Sequence, residues 1–201
     1  DSRSGNKFLY PGLGYGGSCF PKDTLAVIGM GEASGFDAQL SRAVHEVNQR
    51  QRALFFDKIA RHYESRGGLA GKTLAFWGIA FKPRTDDVRE APALTLMQLA
   101  AKAGARIRAY DPVADKTGKD ALDEMGVEVK IVDGMYACCE GADGLVVATD
   151  WDEFKMPDWK RLKSELAEAT IFDGRNLYRR RQLRNLGFNH HSVGRPSVMI
   201  G

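Results

Sequence analysis

Residues 73–78, TLAFWG, form a short apolar run, and residues 144–149, GLVVAT, form another. Neither run alternates apolar with polar positions, which is typical of strands buried on both faces of a parallel sheet. Further strands are predicted at residues 106–110, 127–130 and 170–173. Segments of helical length separate these strands. The alternation predicts an α/β fold with a Rossmann-like, doubly wound parallel sheet over residues 70–201.

A helical segment precedes the predicted sheet. One helix is predicted from Pro21 to about residue 32, and a longer one from about residue 38 to residue 66. The longer helix would span roughly 40 Å, enough to connect two lobes. We therefore predict two units, a helical one over residues 1–66 and the Rossmann-like one over residues 70–201.

Composition indicates a cytoplasmic globular protein. The net charge of +3 is too small to demand nucleic acid or an anionic membrane as a partner. The arginines at 179–181 and 184 lack interleaved aromatic residues, so we interpret them as a solvated helix face. No apolar run approaches the length of a membrane span, and no signal peptide is evident. We expect no nucleic acid or membrane partner.

The remaining cysteines, histidines and acids indicate structure rather than metal binding. Cys138 and Cys139 are adjacent in a helix-like stretch and are predicted to be core residues. His45 and His62 are predicted on a helix surface, and residues 190–191 follow the last helix without ligand spacing. The acids at 86, 87 and 90 are predicted to cap loops and form ion pairs. We expect no metal site.

Cys19 is the candidate nucleophile. It follows a glycine-rich run at residues 12–17 and stands two positions before Pro21, which favours the first turn of a helix. A helix N-terminus and the neighbouring Lys22 both favour a thiolate, and Asp23 can orient a water molecule. The alternative is a small buried cysteine after a glycine-rich turn. No strand precedes the glycines, so they indicate a substrate loop rather than a dinucleotide fingerprint.

Charged residues follow several predicted strands, at the edge where parallel sheets bind ligands. Lys82 and Arg89 follow the first strand, Asp111 ends the second, and Arg175 follows a later one. Lysine and arginine together suit a diphosphate. The alternative is that these groups are surface charges on solvated loops.

Four motifs occur in order: FLYPG at 8–12, GGSCFPKD at 16–23, FKPRTDDVRE at 81–90 and FDGRN at 172–176. This set resembles the UDP-glucose 6-dehydrogenases, within the wider nucleotide-sugar dehydrogenase group. The resemblance covers essentially all 201 residues. The family's amino-terminal nucleotide-binding domain has no counterpart here, so the chain looks like the C-terminal half of such an enzyme and is expected to be inactive alone.

The resemblance implies an oxidation of UDP-glucose to UDP-glucuronate with two NAD, a step towards polysaccharide biosynthesis. A Cys19 thiolate would add to the intermediate aldehyde as a thiohemiacetal, and the later thioester would be hydrolysed with help from Asp23. Lys22 and Arg89 match residues that reach the NAD phosphates. Arg3 matches an arginine inserted into the neighbouring subunit's site, which implies a homodimer formed through the helical segment.

Further residues match the family's substrate contacts. With Arg3, the substrate-binding residues implied by the resemblance are Phe8, Leu9, Tyr10, Pro11, Gly12, Gly16, Phe81, Lys82 and Arg175. Three alternatives stay open. One is a related GDP-mannose or UDP-N-acetylmannosamine dehydrogenase, and another is a UDP-sugar-binding module without turnover. The third is an unrelated cysteine acyl-transfer enzyme, which would require a histidine near Cys19.

Overall fold

The computed structural model describes residues 10–200. Two helices come first, and strands and helices alternate after them. The helices are α1 (Phe20–Ala33), α2 (Gln39–Glu64), α3 (Pro92–Lys102), α4 (Asp115–Glu124), α5 (Met135–Cys139), α6 (Trp159–Glu165) and α7 (Arg180–Leu186). The strands are β1 (Thr73–Trp77), β2 (Arg106–Tyr110), β3 (Val129–Ile131), β4 (Gly144–Val147), β5 (Thr170–Asp173) and β6 (Asn189–Ser192).

All six strands pair in parallel in one sheet with the order β3-β2-β1-β4-β5-β6. The chain winds outwards from β1 to β3 and then returns to β4 on the other side of β1. The carboxyl ends of β1 and β4 therefore flank the switch point, where sheets of this kind hold ligands. The predicted doubly wound parallel sheet is confirmed.

Helices cover both faces of the sheet, which explains the uninterrupted apolar runs. Leu74 and Phe76 of β1 point into the core formed with α2, α3 and α4. Ala75 and Trp77 point into the opposite core, formed with α5, α6 and α7. Cys138 and Cys139 lie in that second core, as predicted. Residues 74–77 of β1 are thus all apolar because each face of the strand is buried.

Helix α2 belongs to two parts of the molecule. In its second half, Phe55, Ile59 and Tyr63 are buried against the sheet. In its first half, Leu40 and Val47 are exposed. The helix has 26 residues and is about 39 Å long. It lies within the first predicted unit, but its second half packs against the sheet of the second, and the division at residues 66–70 stays a prediction.

The carboxy-terminal region departs most from the sequence-based expectation. Strand β6 was not predicted, and it pairs with β5 at the sheet edge. The prediction that His62 lies on a helix surface is wrong, since its Nδ1 atom is 3.0 Å from Nε2 of His191 on β6. Nε2 of His62 is 2.8 Å from the carboxylate of Glu168. The edge strand thus buries a polar face of α2, which apolar periodicity does not reveal.

Within residues 10–200, none of the helices is long and apolar enough to cross a membrane.

Candidate ligand-binding and catalytic site

A cavity of about 800 Å³ opens at the carboxyl edge of the sheet. Its walls come from the glycine-rich loop, from the first half of α2, and from the segments that follow β1, β4 and β5. The lining residues are Tyr10, Gly12, Gly14, Tyr15, Gly16, Phe20, Ala43, Val44, Val47, Asn48, Gln51, Phe81, Lys82, Pro83, Asp150 and Arg175. The cavity lies at the switch point, and its size suits a small molecule.

The cavity brings together many, but not all, of the residues proposed from the sequence. Those that line it are Tyr10, Gly12, Gly16, Phe81, Lys82 and Arg175. Those described elsewhere on the surface or in loops are Pro11, Cys19, Lys22, Asp23 and Arg89. Three others, Arg3, Phe8 and Leu9, lie outside the described residues.

Side chains on one face of α2 hold the glycine-rich loop. Asn48 forms two hydrogen bonds with the backbone of Tyr15: Oδ1 accepts from the N–H at 2.7 Å, and Nδ2 donates to the carbonyl oxygen at 3.1 Å. One turn further, Nε2 of Gln51 donates to the carbonyl oxygen of Gly12 at 3.1 Å. The loop backbone is therefore fixed by the helix rather than by regular secondary structure.

Arg52 joins three segments of the chain around the cavity. Its Nη2 atom donates to the carbonyl oxygens of Tyr15 at 3.2 Å and Glu90 at 3.0 Å. Its Nη1 atom donates to Oγ1 of Thr95 on α3 at 3.1 Å. The side chain is buried, and this burial lowers the pKa of Arg52, although the nearby Glu90 carboxylate opposes the shift. Arg52 thus ties the glycine-rich loop to the segment after β1.

Asn48, Gln51 and Arg52 were not predicted to belong to the site. Their spacing of i, i+3 and i+4 places three polar side chains on one helical face beside apolar ones. That spacing was a signal for a functional face of α2.

The loop backbone packs closely against the segment between β1 and α3. The N–H of Gly17 donates to the carbonyl oxygen of Arg89 at 2.8 Å. Gly17 has φ of +85°, and a Cβ atom there would lie 2.8 Å from the ring of Phe81. Glu90 has φ of +52°, a conformation that costs energy for a residue with a side chain. Glycine is therefore required where the two segments meet.

Cys19 lies immediately before α1, and its side chain is exposed. The alternative prediction of a buried cysteine is wrong. The Sγ atom is 3.7 Å from Oγ of Ser18. The backbone N–H of Asp23 donates to the carbonyl oxygen of Cys19, so the Asp23 residue lies one helical turn on. The Asp23 carboxylate is 3.2 Å from Nζ of the exposed Lys22.

Cys138 and Cys139 differ from Cys19 in environment. Both are buried in the second core. Burial raises the pKa of Cys138 to about 12, and it raises the pKa of Cys139 well above its ordinary value. Both thiols therefore stay protonated at neutral pH and are poor nucleophiles.

The cations near the cavity have different partners. Nη2 of Arg175 is 2.9 Å from Oδ1 of Asp150, which follows β4. Nζ of Lys82 lies 5.1 Å from the ring centroid of Phe81, and within residues 10–200 it forms no ion pair. Arg89 is held by two hydrogen bonds to Asp87, from Nε at 2.9 Å and Nη2 at 2.8 Å.

The acids near this edge are mainly used for structure. The hydrogen bond from Arg89 lowers the pKa of Asp87, and the predicted ion pairing of this acidic cluster is confirmed. Asp111 is buried at the end of β2 and accepts hydrogen bonds from the backbone N–H groups of Ile79 and Ala114 and from Nε1 of Trp151. Its oxygens are thus occupied by the protein itself.

Known proteins with similar sequences belong to one family of dehydrogenases. Residues 75–180 match the model for the UDP-glucose/GDP-mannose dehydrogenase family, UDP binding domain, and residues 1–50 match the model for the central domain of the same family. The UDP-glucose 6-dehydrogenase of Pseudomonas aeruginosa is 42% identical over 198 residues, which are 98% of this chain and 43% of that protein. TuaD of Bacillus subtilis, also a UDP-glucose 6-dehydrogenase, is 40% identical over 98% of this chain and 42% of its own length.

The fold is also similar to those of solved dehydrogenase structures. A UDP-glucose dehydrogenase from Pyrobaculum islandicum has a TM-score of 0.75 and 34% identity, over 90% of this chain and 39% of its own. A UDP-D-ManNAc dehydrogenase from Pyrococcus horikoshii has a TM-score of 0.75 and 28% identity, over 92% and 40%. The chain thus spans less than half the length of these relatives.

Proposed function

Because the chain belongs to the UDP-glucose/GDP-mannose dehydrogenase family, we propose that it supplies the UDP-sugar site and the nucleophilic cysteine of a UDP-glucose 6-dehydrogenase. The observation that carries the proposal is the cavity at the switch point, where Lys82 and Arg175 meet the loop that leads to Cys19. The substrate class follows from the UDP binding domain matched by residues 75–180.

The ligand contacts divide between the sheet edge and the loop. In this proposal Phe81 stacks on the base, Lys82 contacts the diphosphate, and Arg175 contacts the substrate from the end of β5. The backbone at Tyr10–Gly12 and Gly16 lies along the sugar nucleotide. Gly12 and Gly16 both line the cavity, and the space next to their Cα atoms is occupied by Arg175 and by the Glu90 carbonyl group, so the loop lies close against the sheet edge.

Cys19 is the proposed nucleophile for the second oxidation. Its exposed Sγ atom adds to the carbonyl carbon of the intermediate aldehyde, whose oxygen becomes the hydroxyl of a thiohemiacetal. Loss of the hydroxyl proton and of a hydride from carbon, with NAD as the hydride acceptor when it is bound, would give a thioester. Water then attacks the thioester carbonyl and releases the carboxylate, while the Cys19 thiolate leaves. Asp23, one turn along α1, is proposed to orient that water.

NAD is the proposed cofactor, and two exposed cations of this chain fit its phosphates. The side chains of Lys22 and Arg89 are both exposed, and Arg89 lies near enough to Cys19 to interact electrostatically with a thiolate. We propose that they hold the diphosphate at the mouth of the loop. When bound, NAD supplies the acceptor for hydride.

Titration calorimetry tests the ligand proposal directly. We expect the chain to bind UDP-glucose in preference to UDP-N-acetylmannosamine and GDP-mannose. Lys82→Ala and Arg175→Ala should each weaken binding by about 1–3 kcal/mol, as expected for charge-assisted contacts. Lys160→Ala on α6, an exposed cation away from the cavity, is the matched control. Equal affinity of all four proteins for UDP-glucose would contradict the proposed site.

We also propose a cytoplasmic homodimer formed through α1 and α2. Three free cysteines support a reducing compartment, and exposed apolar side chains such as Met30, Phe36 and Leu40 support a covered face. Leu40→Lys should convert a dimer to a monomer in analytical ultracentrifugation. Met156→Lys, at an exposed apolar side chain far along the chain, should leave the dimer intact. A monomeric parent protein would contradict this part of the proposal.

A further inference from the structure

Asp150 places a carboxylate in the wall of the cavity. It follows β4, directly at the switch point, and it lines the cavity together with Lys82 and Arg175. The sequence alone does not indicate a role for the segment from Asp150 to Trp159. Its position at the ligand-binding edge is therefore a finding of the structure.

The carboxylate of Asp150 has unused hydrogen-bonding capacity. Its Oδ1 atom is buried and lies 2.9 Å from Nη2 of Arg175, but the contact is not aligned as a hydrogen bond. Among residues 10–200, Oδ1 accepts no aligned hydrogen bond, and its close charged contact is the ion pair with Arg175. The side chain is 31% exposed, and an ionised carboxylate can accept several hydrogen bonds but donate none. The site thus favours a ligand that brings a hydrogen-bond donor.

The Asp150–Arg175 ion pair also changes what Arg175 can bind. An arginine already paired with a carboxylate attracts a phosphate less strongly, because the carboxylate repels the same phosphate. Among residues 10–200 Lys82 forms no salt bridge, and the Asp87 carboxylate with which it interacts electrostatically is already paired with Arg89, so Lys82 remains the attractive point for an anionic group. The cavity therefore has a cationic part at Lys82 and an electrically balanced part at Asp150 and Arg175.

The backbone of the glycine-rich loop packs directly against the Asp150–Arg175 pair. A Cβ atom at Gly12 would lie 2.7 Å from Nη1 of Arg175. The guanidinium thus lies directly beneath the loop and beside Asp150. Neutral hydroxyl groups suit such a pair, since the arginine donates to them and the carboxylate accepts from them.

We propose that Asp150 is a specificity-determining binding residue that accepts a hydrogen bond from a sugar hydroxyl of the ligand, while Lys82 takes the diphosphate. This inference rests on the proposed function. The hydroxyl belongs either to the hexose or to the ribose. UDP-glucose carries both sugars, whereas UDP carries the ribose alone.

Calorimetry with UDP-glucose, UDP and inorganic pyrophosphate tests the proposal. Asp150→Asn and Asp150→Ala should lower the affinity for UDP-glucose by about tenfold or more, as for the loss of a hydrogen bond to a charged group. The affinity for pyrophosphate should rise, because the repelling carboxylate is gone. Asp152→Asn, an exposed acid two residues on and paired with Arg84 and Lys155, is the matched control and should change neither.

The ligand series separates the outcomes. A loss confined to UDP-glucose assigns the hydroxyl to the hexose, and an equal loss with UDP assigns it to the ribose. If both Asp150 variants bind UDP-glucose as tightly as the parent, the proposal is overturned. If the parent protein binds neither UDP-glucose nor UDP, the proposed function fails. The titrations with pyrophosphate then still test whether Asp150 repels an anion, and an unchanged affinity for pyrophosphate in both Asp150 variants overturns the inference.

Discussion

Gly16 lies against the carbonyl group of Glu90, so closely that a Cβ atom at Gly16 would overlap the Glu90 oxygen. The loop that leads to Cys19 and the segment that follows β1 therefore share a backbone contact that leaves no room for a side chain. The geometry of the cavity depends on this contact.

We expect Gly16→Ala to destabilise the protein by about 1–3 kcal/mol, because overpacking against backbone cannot be relieved by a rotamer change. Gly29→Ala on α1 is the control, since a Cβ atom there meets nothing within 4 Å and alanine favours a helix. Urea unfolding of both variants measures the difference. An unchanged midpoint for Gly16→Ala would show that the two segments separate easily.

Replacement of Arg52 by methionine should loosen the same junction. The change leaves the carbonyl oxygens of Tyr15 and Glu90 without their shared donor, at a cost of about 1–3 kcal/mol in the free energy of unfolding. Amide exchange should also become faster at Gly17. Arg61→Met, at an exposed position on the same helix, is the matched control. Equal stability of the two variants would contradict a role for Arg52 in holding the loop.

Alkylation should distinguish the three cysteines. At neutral pH, iodoacetamide should modify Cys19 first, because it is exposed, whereas burial raises the pKa of Cys138 and Cys139. Peptide mapping after partial reaction gives the order. Modification of Cys138 or Cys139 ahead of Cys19 in the folded protein would contradict the assignment of the nucleophile.

Acid should destabilise the contact between α2 and the sheet edge. Burial lowers the pKa of His191 to about 3 from an ordinary value of 6.5, and it also lowers the pKa of His62. Below pH 6.5 the unfolded chain therefore binds protons that the folded protein does not, so stability falls as pH falls from 6.5 towards 3. Each histidine contributes up to about 1.4 kcal/mol per pH unit.

The variant His191→Gln isolates this contribution. Its free energy of unfolding should fall less steeply with acid than that of the parent between pH 6.5 and about pH 4.5. Gln49→Ala, at an exposed and uncharged position on the first half of α2, should keep the parent slope. Parallel curves for the parent and His191→Gln would show that His191 does not remain neutral in the fold.

Apolar pattern alone predicted most of the sheet. Strands β1 and β4 are buried on both faces, so every residue in them is apolar or small and the signal is strong. Strand β6 is equally buried but has the sequence NHHS, in which His191 pairs with His62 and with Ser197 in the turn after the strand. Its burial depends on partners more than a hundred residues away, which no local pattern contains.

The site was predictable to the extent that its chemistry is local. The glycines, Cys19 and the cations after β1 and β5 are marked by residue type and by position next to a strand or helix. Asp150 also stands directly after a predicted strand, at residues 144–149, but a single acid at the start of a connecting segment does not by itself indicate a ligand contact. Its importance arises only when β4 brings it beside Arg175, and Arg52 likewise matters only because α2 packs across two loops.

Helix α2 links the shape of the cavity to the packing of the sheet. Tyr63 is buried in the core and Asn48 forms hydrogen bonds with the glycine-rich loop, and the two residues are about 22 Å apart along the helix. The helix is thus a lever arm: a tilt of about 5° at its anchored end moves Asn48 by about 2 Å. A displacement of that size is enough to misalign a nucleophile and its target. Substitutions around Tyr63 can therefore lower the rate of a reaction at Cys19 without changing any residue that contacts the ligand.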